Sequence, residues 1–337
     1  MSHTPAGNPA GTLLLQRREV AALLDLGECV EAVERAFQLH ARGESLPPGV
    51  LSAYVPDGGF HVKAAGLKLE RAYFAAKFNG NFSGNASRFG LPNIQGVILL
   101  CDAENGYPLA LLDSIEITIQ RTAAATAVAA RYLARPESEV LTVCGCGNQG
   151  RSHLLALSRV LTLKQVFAWD ADPVRAHDFA REFSERLGVA VEAVDELHTA
   201  ARQSDLCVTC TSARRWFLAC EDVRPGTFIA AVGTDSPDKQ ELDPQLMAVS
   251  RIVVDSLAQC AEFGELHHAL EAGLVTRESV CSELADVVAG RKPGRTSPEE
   301  IVLFDSTGVA LEDVAAAVAV YHKALRQGVG QRLDFAA

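Results

Sequence analysis

The chain has 337 residues, of which 48% are hydrophobic and 22% are charged, a composition typical of a globular protein with two domains. Its formal net charge of −11 argues against nucleic acid or an anionic membrane surface as the main partner. No apolar run is long enough to span a bilayer, and the polar stretch 1–11 lacks a signal-peptide core, so we expect a loose tail and a cytoplasmic protein.

The first 118 residues predict an α+β unit. A helical pattern covers 28–41, where apolar residues recur on one face. Strand-like runs follow, and turns such as Asp57-Gly58-Gly59 and Asn105-Gly106 separate them. The predicted strands are 50–55, 60–64, 72–78 and 94–100.

Beyond an alanine-rich helix predicted over 122–134, strand and helix signals alternate. This alternation indicates an α/β fold with a parallel, doubly wound sheet of the Rossmann type, in which ligands bind at the carboxyl ends of the strands. Thr209, Thr211, Val232 and Asp235 fall at two of these ends. The predicted strands are 139–144, 165–169, 189–193, 206–211, 227–232 and 252–255, with helices at 173–187 and 309–325.

Residues 139–150 carry a dinucleotide-binding fingerprint. A β-branched apolar run ends in the glycine loop, Gly145-Cys146-Gly147-Asn148-Gln149-Gly150, and a helical pattern begins directly after it. Gly145 permits the tight turn, Gly147 lets the backbone approach a pyrophosphate, and Gly150 lets the new helix pack on the strand. The N–H groups at the helix start, at Asn148 and Gln149, then point at the phosphates. We therefore predict a dinucleotide site; the alternative is a glycine-rich turn without a ligand.

A second apolar run, 165–169, ends in Asp170, which lies 25 residues after Gly145. The fingerprint places an acid near this spacing, where it accepts hydrogen bonds from the ribose hydroxyls. A carboxylate accepts from the free 2′-hydroxyl of NAD and repels the 2′-phosphate of NADP. The next residues, Ala171-Asp172-Pro173, add a second acid and no arginine, so we expect NAD rather than NADP.

The nine cysteines predict reduced thiols that pack as small residues, not a disulfide framework. Cys207 and Cys210 form a C-x-x-C pattern, but no second pair of ligands accompanies it. His267 and His268 lie in a helical pattern with two glutamates, and no third ligand is evident. We therefore expect no metal site.

Five motifs occur in a specific order along the chain. They are Asn105-Gly-Tyr-Pro108, Arg121-Thr-Ala-Ala124, the glycine loop, Gly233-Thr-Asp-Ser-Pro-Asp-Lys-Gln-Glu-Leu-Asp243 and Phe304-Asp-Ser-Thr-Gly308. Together they resemble the ornithine cyclodeaminase/mu-crystallin family over roughly residues 13–325. The resemblance implies a homodimer whose Rossmann domain is inserted in an α+β substrate-binding and dimerisation domain. The expected parts are 1–118, 119–306 and 307–337, the last returning to the dimerisation domain.

The chemistry shared by this family is hydride transfer between nicotinamide and the α-carbon of an amino or imino acid. The resemblance implies that Arg121 and Lys77 hold the substrate carboxylate, a task that suits the planar fork of arginine. Asp235 matches the family's general acid/base, and we expect partial burial to tune its pKa toward proton exchange with the substrate nitrogen. The residues alone leave other roles open: a phosphate contact or helix-end charge for Arg121, a surface lysine for Lys77, and a turn residue for Asp235.

The chain departs from the family where substrate is expected to bind. Pro47-Pro48 precedes Gly49 instead of an arginine, and His61 stands where ornithine cyclodeaminase has a glutamate for the distal amine. Lys63 either replaces the missing arginine or is an ordinary solvent-facing lysine. Asn79 either hydrogen-bonds the substrate or belongs to a plain turn.

Thr122 and Ser306 match positions near the cofactor, although each also fits a helix cap.

The leading hypothesis is an NAD-dependent cyclic ketimine reductase or small amino-acid dehydrogenase. Cyclodeamination of ornithine to proline and ammonia is an alternative, which the His61 substitution weakens. A third hypothesis is a non-catalytic ligand-binding protein like mu-crystallin, although retention of Lys77, Arg121 and Asp235 favours chemistry.

Overall fold

The computed structural model describes residues 11–335 and divides the chain into two compact units. The first unit comprises the chain up to Arg121 together with the part from Ala310 onward, and the second unit is Thr122–Val309. Both dividing points lie three residues beyond the boundaries expected from the sequence. The predicted N-terminal tail lies outside the described residues except for Gly11.

The first unit is built on a mostly antiparallel sheet. Its strands are β1 (Thr12–Leu15), β2 (Ser45–Val55), β3 (Gly58–Lys68), β4 (Ala72–Asn81), β5 (Ile94–Asp102), β6 (Pro108–Asp113) and β17 (Gln331–Leu333). Within residues 11–335 they pair in the order β17-β1-β6-β5-β4-β3-β2, and only β1 and β6 run parallel. Its helices are α1 (Arg17–Leu23), α2 (Leu26–Ala41), α3 (Asn85–Phe89), the start of α4 (Ile115–Leu133) and α12 (Ala310–Gln327).

The long strands of this sheet present two different faces. Helix α12 packs against β3, β4 and β5, and the side chains of Ile98 and Leu100 are buried on that side. Their neighbours Val97 and Leu99 point to the opposite face and are exposed. The register of the edge strand β2 shifts between Leu46 and Gly49, where two prolines lack the N–H groups that a regular ladder needs.

Helix α4 begins seven residues earlier than predicted. The alternation of Ile115, Ile117 and Ile119 with polar residues is typical of a strand. However, Asp113 accepts a hydrogen bond from the backbone N–H of Ile115 at 3.0 Å, so it caps a helix that starts there. Thr122 consequently lies inside the helix, and its alternative role as a helix cap is wrong.

The second unit contains the remaining strands and helices. The strands are β7 (Val140–Cys144), β8 (Gln165–Trp169), β9 (Ala190–Ala193), β10 (Leu206–Thr209), β11 (Arg214–Leu218), β12 (Phe228–Ala231), β13 (Gln240–Leu242), β14 (Arg251–Val254), β15 (Val280–Glu283) and β16 (Val302–Asp305). The helices are α5 (Asn148–Val160), α6 (Pro173–Leu187), α7 (Leu197–Ala201), α8 (Pro244–Val249), α9 (Leu257–Phe263), α10 (Glu265–Glu271) and α11 (Leu284–Val288), with 3₁₀ turns at Cys220–Asp222 and Arg277–Ser279.

Eight described strands of this unit form one parallel sheet in the order β15-β14-β16-β12-β10-β7-β8-β9. The chain reverses its direction of progress across the sheet at β7, so the expected α/β, doubly wound Rossmann arrangement is confirmed. Helix α6 has the predicted bounds because Asp172 caps its start, accepting from the N–H of Val174 at 3.1 Å, and Gly188 ends it at φ +64°. None of the described helices is long and apolar enough to cross a lipid bilayer.

Several short strands escaped the sequence prediction. Strand β16 is buried along its whole length, so it shows no alternation between apolar and polar residues. Its end, Phe304-Asp305, was quoted only as part of a motif. Strand β15 was also not predicted and forms one edge of the parallel sheet, and β11 and β13 pair separately as a small two-stranded sheet.

Candidate active site

The glycine loop connects β7 to α5 in a conformation that requires two of its glycines. Gly145 has φ +105°, and a Cβ at this position would lie 3.0 Å from the carbonyl oxygen of Cys210. A Cβ at Gly150 would lie only 2.0 Å from the carbonyl oxygen of Gly145, so a side chain there would separate the helix from the loop. These two positions therefore perform the turn and packing roles expected of them.

Gly147 differs from the other two because a Cβ there would meet nothing within 4 Å. It is exposed and precedes the first turn of α5, in which Asn148 is exposed and Gln149 is half-buried. The N–H groups of a first helical turn have no acceptor within the helix, and the helix dipole adds partial positive charge at this end. Open space before such a helix start fits a pyrophosphate that approaches the backbone closely.

Asp170 follows β8 directly and is tied to the glycine loop. Its Oδ2 accepts a hydrogen bond from the backbone N–H of Cys146 at 2.8 Å, and its Oδ1 accepts from that of Asp172 at 3.0 Å. Each carboxylate oxygen can accept a further bond, so a ribose hydroxyl can still be bound. Asp170 therefore has a second role that the sequence did not reveal, because it also fixes the glycine loop.

Thr122 is buried within α4, and the other residues assigned to the cofactor lie at or near the carboxyl ends of neighbouring parallel strands. Thr209 ends β10 and is buried, and its carbonyl oxygen accepts from the N–H of Val232, which follows β12, at 2.9 Å. The hydroxyl of Thr211 donates to the carboxylate of Glu241 at 2.7 Å. Ser306 follows β16, and its hydroxyl donates to Asp255 at 3.0 Å.

Asp235 stands in the loop after β12, as predicted, but the expected partial burial is wrong. Its side chain is 43% exposed, and it precedes an exposed turn at Pro237-Asp238. The carboxylate forms an ion pair with Lys239 at 2.6 Å, and the same ammonium group donates to the carbonyl oxygen of Gly233 at 3.4 Å. Asp235 is therefore accessible to a ligand and held in place by a cation.

In the first unit, Lys77 and Arg121 belong to one buried cluster of charges. The ammonium group of Lys77 lies 2.8 Å from Oδ2 and 3.0 Å from Oδ1 of Asp313. The Arg121 guanidinium lies 2.7 Å from Glu312 and 3.0 Å from Asp313. Both acids lie in the first turn of α12, and sequence reasoning missed them because acids are common at helix starts.

The charges in this cluster are strongly coupled. Burial, reinforced by repulsion from Arg121, lowers the pKa of Lys77 from 10.5 to about 8, although Asp313 opposes the change. Burial alone would raise the pKa of Asp313, but Lys77 and Arg121 hold it below its ordinary value. Lys77 therefore remains mostly protonated at neutral pH. With Lys63, which acts electrostatically on both groups, three formal positive charges oppose two negative ones.

The remaining substrate candidates share the sheet face of Lys77. Lys63 lies directly opposite Lys77 and His61 directly opposite Asn79 in the antiparallel pairing of β3 and β4. Asn79 is buried and accepts a hydrogen bond from Ser114 at 2.7 Å, so it is a strand residue and its alternative as a plain turn is wrong. The ring of His61 lies 3.0 Å from the hydroxyl of Ser52.

The nine cysteines have free thiols, as the composition predicts. Burial raises the pKa of Cys207 to about 12 and raises that of Cys210 well above its ordinary value, so both stay neutral. Neutral thiols are poor nucleophiles and poor metal ligands. Their environment favours the packing role over a redox role.

The histidine pair has a third potential ligand that the sequence analysis did not identify. One ligand atom each from His267, His268 and Glu271 lie within 4.8 Å of one another. Glu271 follows His267 by one helical turn, a spacing on one helix face that the sequence does show. However, Nε2 of His268 lies 2.6 Å from the carbonyl oxygen of Lys239, so only its Nδ1 remains for an ion. The expectation of no resident metal stays a prediction, which elemental analysis of the purified protein tests.

Comparison with known proteins gives consistent matches along the chain. A model of the ornithine cyclodeaminase/mu-crystallin family matches residues 11–328. An archaeal alanine dehydrogenase, solved as a dimer with bound NAD, has a TM-score of 0.92 and 38% identity, over 96% of this chain and 99% of that one. The Δ(1)-pyrroline-2-carboxylate reductase of Thermococcus litoralis, solved with NADH and L-proline, has a TM-score of 0.91 and 34% identity, over 96% and 100%. The iminosuccinate reductase of Paracoccus denitrificans is 36% identical over 330 residues, 96% of this chain and 99% of that protein.

Proposed function

This chain belongs to the ornithine cyclodeaminase/mu-crystallin family, and we propose that it is an NAD-dependent oxidoreductase acting at the α-carbon of an amino or imino acid. The observation that carries the proposal is a pair of buried cations, Lys77 and Arg121, with Lys63 directly opposite Lys77, suited to a carboxylate, in a chain that also has an intact dinucleotide-binding loop. The alanine dehydrogenase, pyrroline-carboxylate reductase and iminosuccinate reductase among its relatives support this reaction class.

The proposed cofactor is NAD. Gly147 and the start of α5 would hold the pyrophosphate, and Asp170 would accept hydrogen bonds from the ribose. The Asp170 carboxylate disfavours a 2′-phosphate, and the alanine dehydrogenase and pyrroline-carboxylate reductase structures contain NAD or NADH. When bound, the nicotinamide ring supplies the hydride donor or acceptor that side chains lack.

Lys77 and Arg121 are the proposed carboxylate-binding residues. Each is already paired with Asp313, so both cations are held in place before a substrate arrives. An arginine can grip a carboxylate with two parallel hydrogen bonds, whereas a lysine acts as a point charge.

Asp235 is the proposed group that exchanges a proton with the substrate nitrogen. A general acid/base has to reach the ligand, and the exposure of its carboxylate meets this requirement. Lys239 holds this carboxylate in place through an ion pair at 2.6 Å. Thr211, Val232, Thr122 and Ser306 are retained as proposed cofactor contacts.

The reaction is proposed to be reduction of a cyclic imine or oxidation of a small amino acid. Cyclodeamination of ornithine needs an anionic partner for the distal ammonium group. His61 offers an imidazole whose Nδ1 lies 3.0 Å from the hydroxyl of Ser52, and this favours the other two reactions.

The deciding experiment follows NADH absorbance with Δ1-pyrroline-2-carboxylate, Δ1-piperideine-2-carboxylate, and pyruvate plus ammonia, then assays L-ornithine, L-alanine and L-proline with NAD. Turnover of a cyclic imine would establish a ketimine reductase, and turnover of pyruvate plus ammonia a dehydrogenase. Release of ammonia from ornithine would establish the cyclodeaminase instead. No turnover by a protein that still binds NADH would favour a non-catalytic binding protein.

The proposed assembly is a homodimer formed through the first unit. The face of β2 to β5 opposite α12 exposes apolar side chains along several neighbouring strands, more than an isolated monomer usually leaves in water. The archaeal alanine dehydrogenase was solved as a dimer. Sedimentation at micromolar concentration tests this proposal, and a monomer would contradict it. The exposed side chains are Leu51, Val55, Phe60, Phe78, Val97 and Leu99.

A cytoplasmic location remains a proposal. Nine free thiols in one chain suit a reducing compartment, because an oxidising one would pair or modify the accessible thiols. Cell fractionation tests this, and recovery from an oxidising compartment would contradict it.

A further inference from the structure

Two buried glutamates lie beneath the loops that follow β10 and β12. Glu241 in β13 is fully buried, and Glu265 at the start of α10 is nearly so. In the sequence, Glu241 lies in the motif at 233–243 and Glu265 precedes the histidine pair by two residues. Among residues 11–335, neither forms an ion pair with a lysine, arginine or histidine, although an unpaired buried carboxylate is costly. Their hydrogen bonds therefore have to account for their presence.

Glu241 joins the ends of two adjacent parallel strands. Its Oε1 accepts from the backbone N–H of Thr211 at 2.5 Å and from the hydroxyl of Thr211 at 2.7 Å. Its Oε2 accepts from the N–H of Gly233 at 3.0 Å. A Cβ at Gly233 would lie 2.5 Å from Oε1 of Glu241, so the loop after β12 rests directly on this carboxylate. These donated bonds oppose the effect of burial, which raises the pKa of Glu241 above its ordinary value.

Glu265 fixes Glu241 and the loop after β12 through three further hydrogen bonds. Its Oε1 accepts from the N–H of Glu241 at 2.7 Å and from the hydroxyl of Thr234 at 2.5 Å, and its Oε2 accepts from the N–H of Leu242 at 3.2 Å. It thereby fixes both the strand that carries Glu241 and the residue directly before Asp235. The N–H of Glu265 in turn donates to Asp305 at the end of β16, at 3.2 Å.

We propose that Glu241 and Glu265 are positioning residues of the nucleotide site, which together fix the loops carrying Thr211, Gly233 and Asp235. The inference rests on the proposed NAD function for its consequence, but the fixing of the loops is a property of the chain alone. Glu241 acts on both loops directly, and Glu265 acts through Glu241 and Thr234.

The pKa of Glu265 makes the proposal testable by pH. Burial, followed by repulsion from Glu241, raises the pKa of Glu265 to about 8, so it is neutral at pH 7 and becomes an anion above pH 8. A second anion against Glu241 would loosen the contacts between them. The titratable groups on α10 and on the elements packed around Glu265 are Asp235, Lys239, Glu241, Asp243, Cys260, Glu262, His267, His268, Glu271 and Asp305.

The first experiment measures hydrogen exchange in the cofactor-free protein and its affinity for NADH by titration. Glu241→Gln keeps the shape but turns an amide NH₂ toward N–H donors, so we expect exchange at Thr211 and Gly233, and the Kd for NADH, to rise by about tenfold or more. Asp222→Asn is the matched control, because Asp222 is also buried and accepts a backbone N–H, from Ala219 at 3.0 Å. Exchange in Glu241→Gln no faster than in the control would overturn the proposal.

The second experiment separates positioning from a general loss of stability. The wild-type Kd for NADH should rise between pH 7 and 9 as Glu265 ionises, and Glu265→Gln, which cannot ionise, should lose that rise whatever its Kd at pH 7. An identical pH profile in both proteins would overturn the role of Glu265. If Glu241→Gln does not fold, Thr234→Val removes one hydroxyl donor, and unchanged exchange at Glu241 would count against the proposal. Faster exchange in Glu241→Gln, with no NADH binding by the wild type, would support loop positioning and refute the NAD function.

Discussion

Replacement of Asp235 by asparagine separates catalysis from stability. If Asp235 exchanges a proton with the substrate nitrogen, Asp235→Asn should lower kcat by about 100- to 10,000-fold, the usual range for loss of a general acid/base. That loss corresponds to roughly 3 to 5 kcal/mol of activation free energy. The Kd for NADH should change little, because the substitution removes a charge and keeps the size of the side chain.

The expected loss of stability is much smaller. The side chain of Asp235 is 43% exposed and that of Lys239 is 28% exposed, so their ion pair at 2.6 Å is screened by solvent. Such pairs contribute about 0–1 kcal/mol to the free energy of unfolding. Urea denaturation should therefore show a change well below the change in activation free energy.

Two matched variants sharpen this prediction. Asp238 lies three residues further along the same loop and pairs with Arg214 at 3.0 Å, so Asp238→Asn should keep kcat within about twofold. Lys239→Gln removes the ion pair and retains the Asp235 carboxylate. Full kcat in Asp235→Asn would refute the assigned role. An equal loss in Lys239→Gln would assign the effect to the ion pair instead.

Three further predictions follow from other parts of the chain. Asp170→Asn can keep the hydrogen bond from the N–H of Cys146, and it should narrow the preference for NAD over NADP by about tenfold or more. The ratio of kcat/KM with the two cofactors measures this preference, and an unchanged ratio would mean that other residues discriminate between NAD and NADP. Burial lowers the pKa of His153 from 6.5 to about 4, so the unfolded chain binds a proton that the folded chain does not bind. As the pH falls from 6.5 to 4, the free energy of unfolding of the wild type should therefore decrease by on the order of 3 kcal/mol more than that of His153→Gln. Urea denaturation at several pH values measures this difference, and parallel curves would refute it. Phe78→Glu on the exposed sheet face should shift sedimentation from dimer to monomer, and persistence of the dimer would place the interface elsewhere.

The fold of the second unit was predictable because local signals and tertiary structure agree there. Helix α6 has an acid at its cap, a proline in its first turn and a glycine at its end, so its bounds follow from the sequence. Strand β16 lacks such signals, since a short, fully buried strand has no periodicity of its own. Helix α4 shows the opposite case, because its β-branched first turn suggests a strand and only the cap by Asp113 sets its start.

The predicted site residues show the same limit in chemical terms. The role of a glycine in a tight turn, or of an acid directly after a strand, can be inferred from the residues next to it in the sequence. Gly145 and Asp170 could be assigned a role for this reason. The bond from Cys146 to Asp170 could not, because it joins residues 24 positions apart and depends on how the sheet aligns two strands.

The acidic partners of the buried cations were the least predictable part of the site, and the reason is energetic. Lys77 and Arg121 can be kept charged in the interior only if anions offset their desolvation. Those anions have to come from wherever the fold brings a carboxylate, which here is the first turn of α12, more than 180 residues along the chain from Arg121. In the sequence, Glu312 and Asp313 look like acids that stabilise a helix start, and this role is genuine. Glu312 and Asp313 therefore both stabilise the helix start and neutralise the buried cations, and only the second role depends on the substrate-binding function. A buried cation that sequence analysis assigns to a substrate therefore predicts an acid somewhere in the fold, without indicating which one.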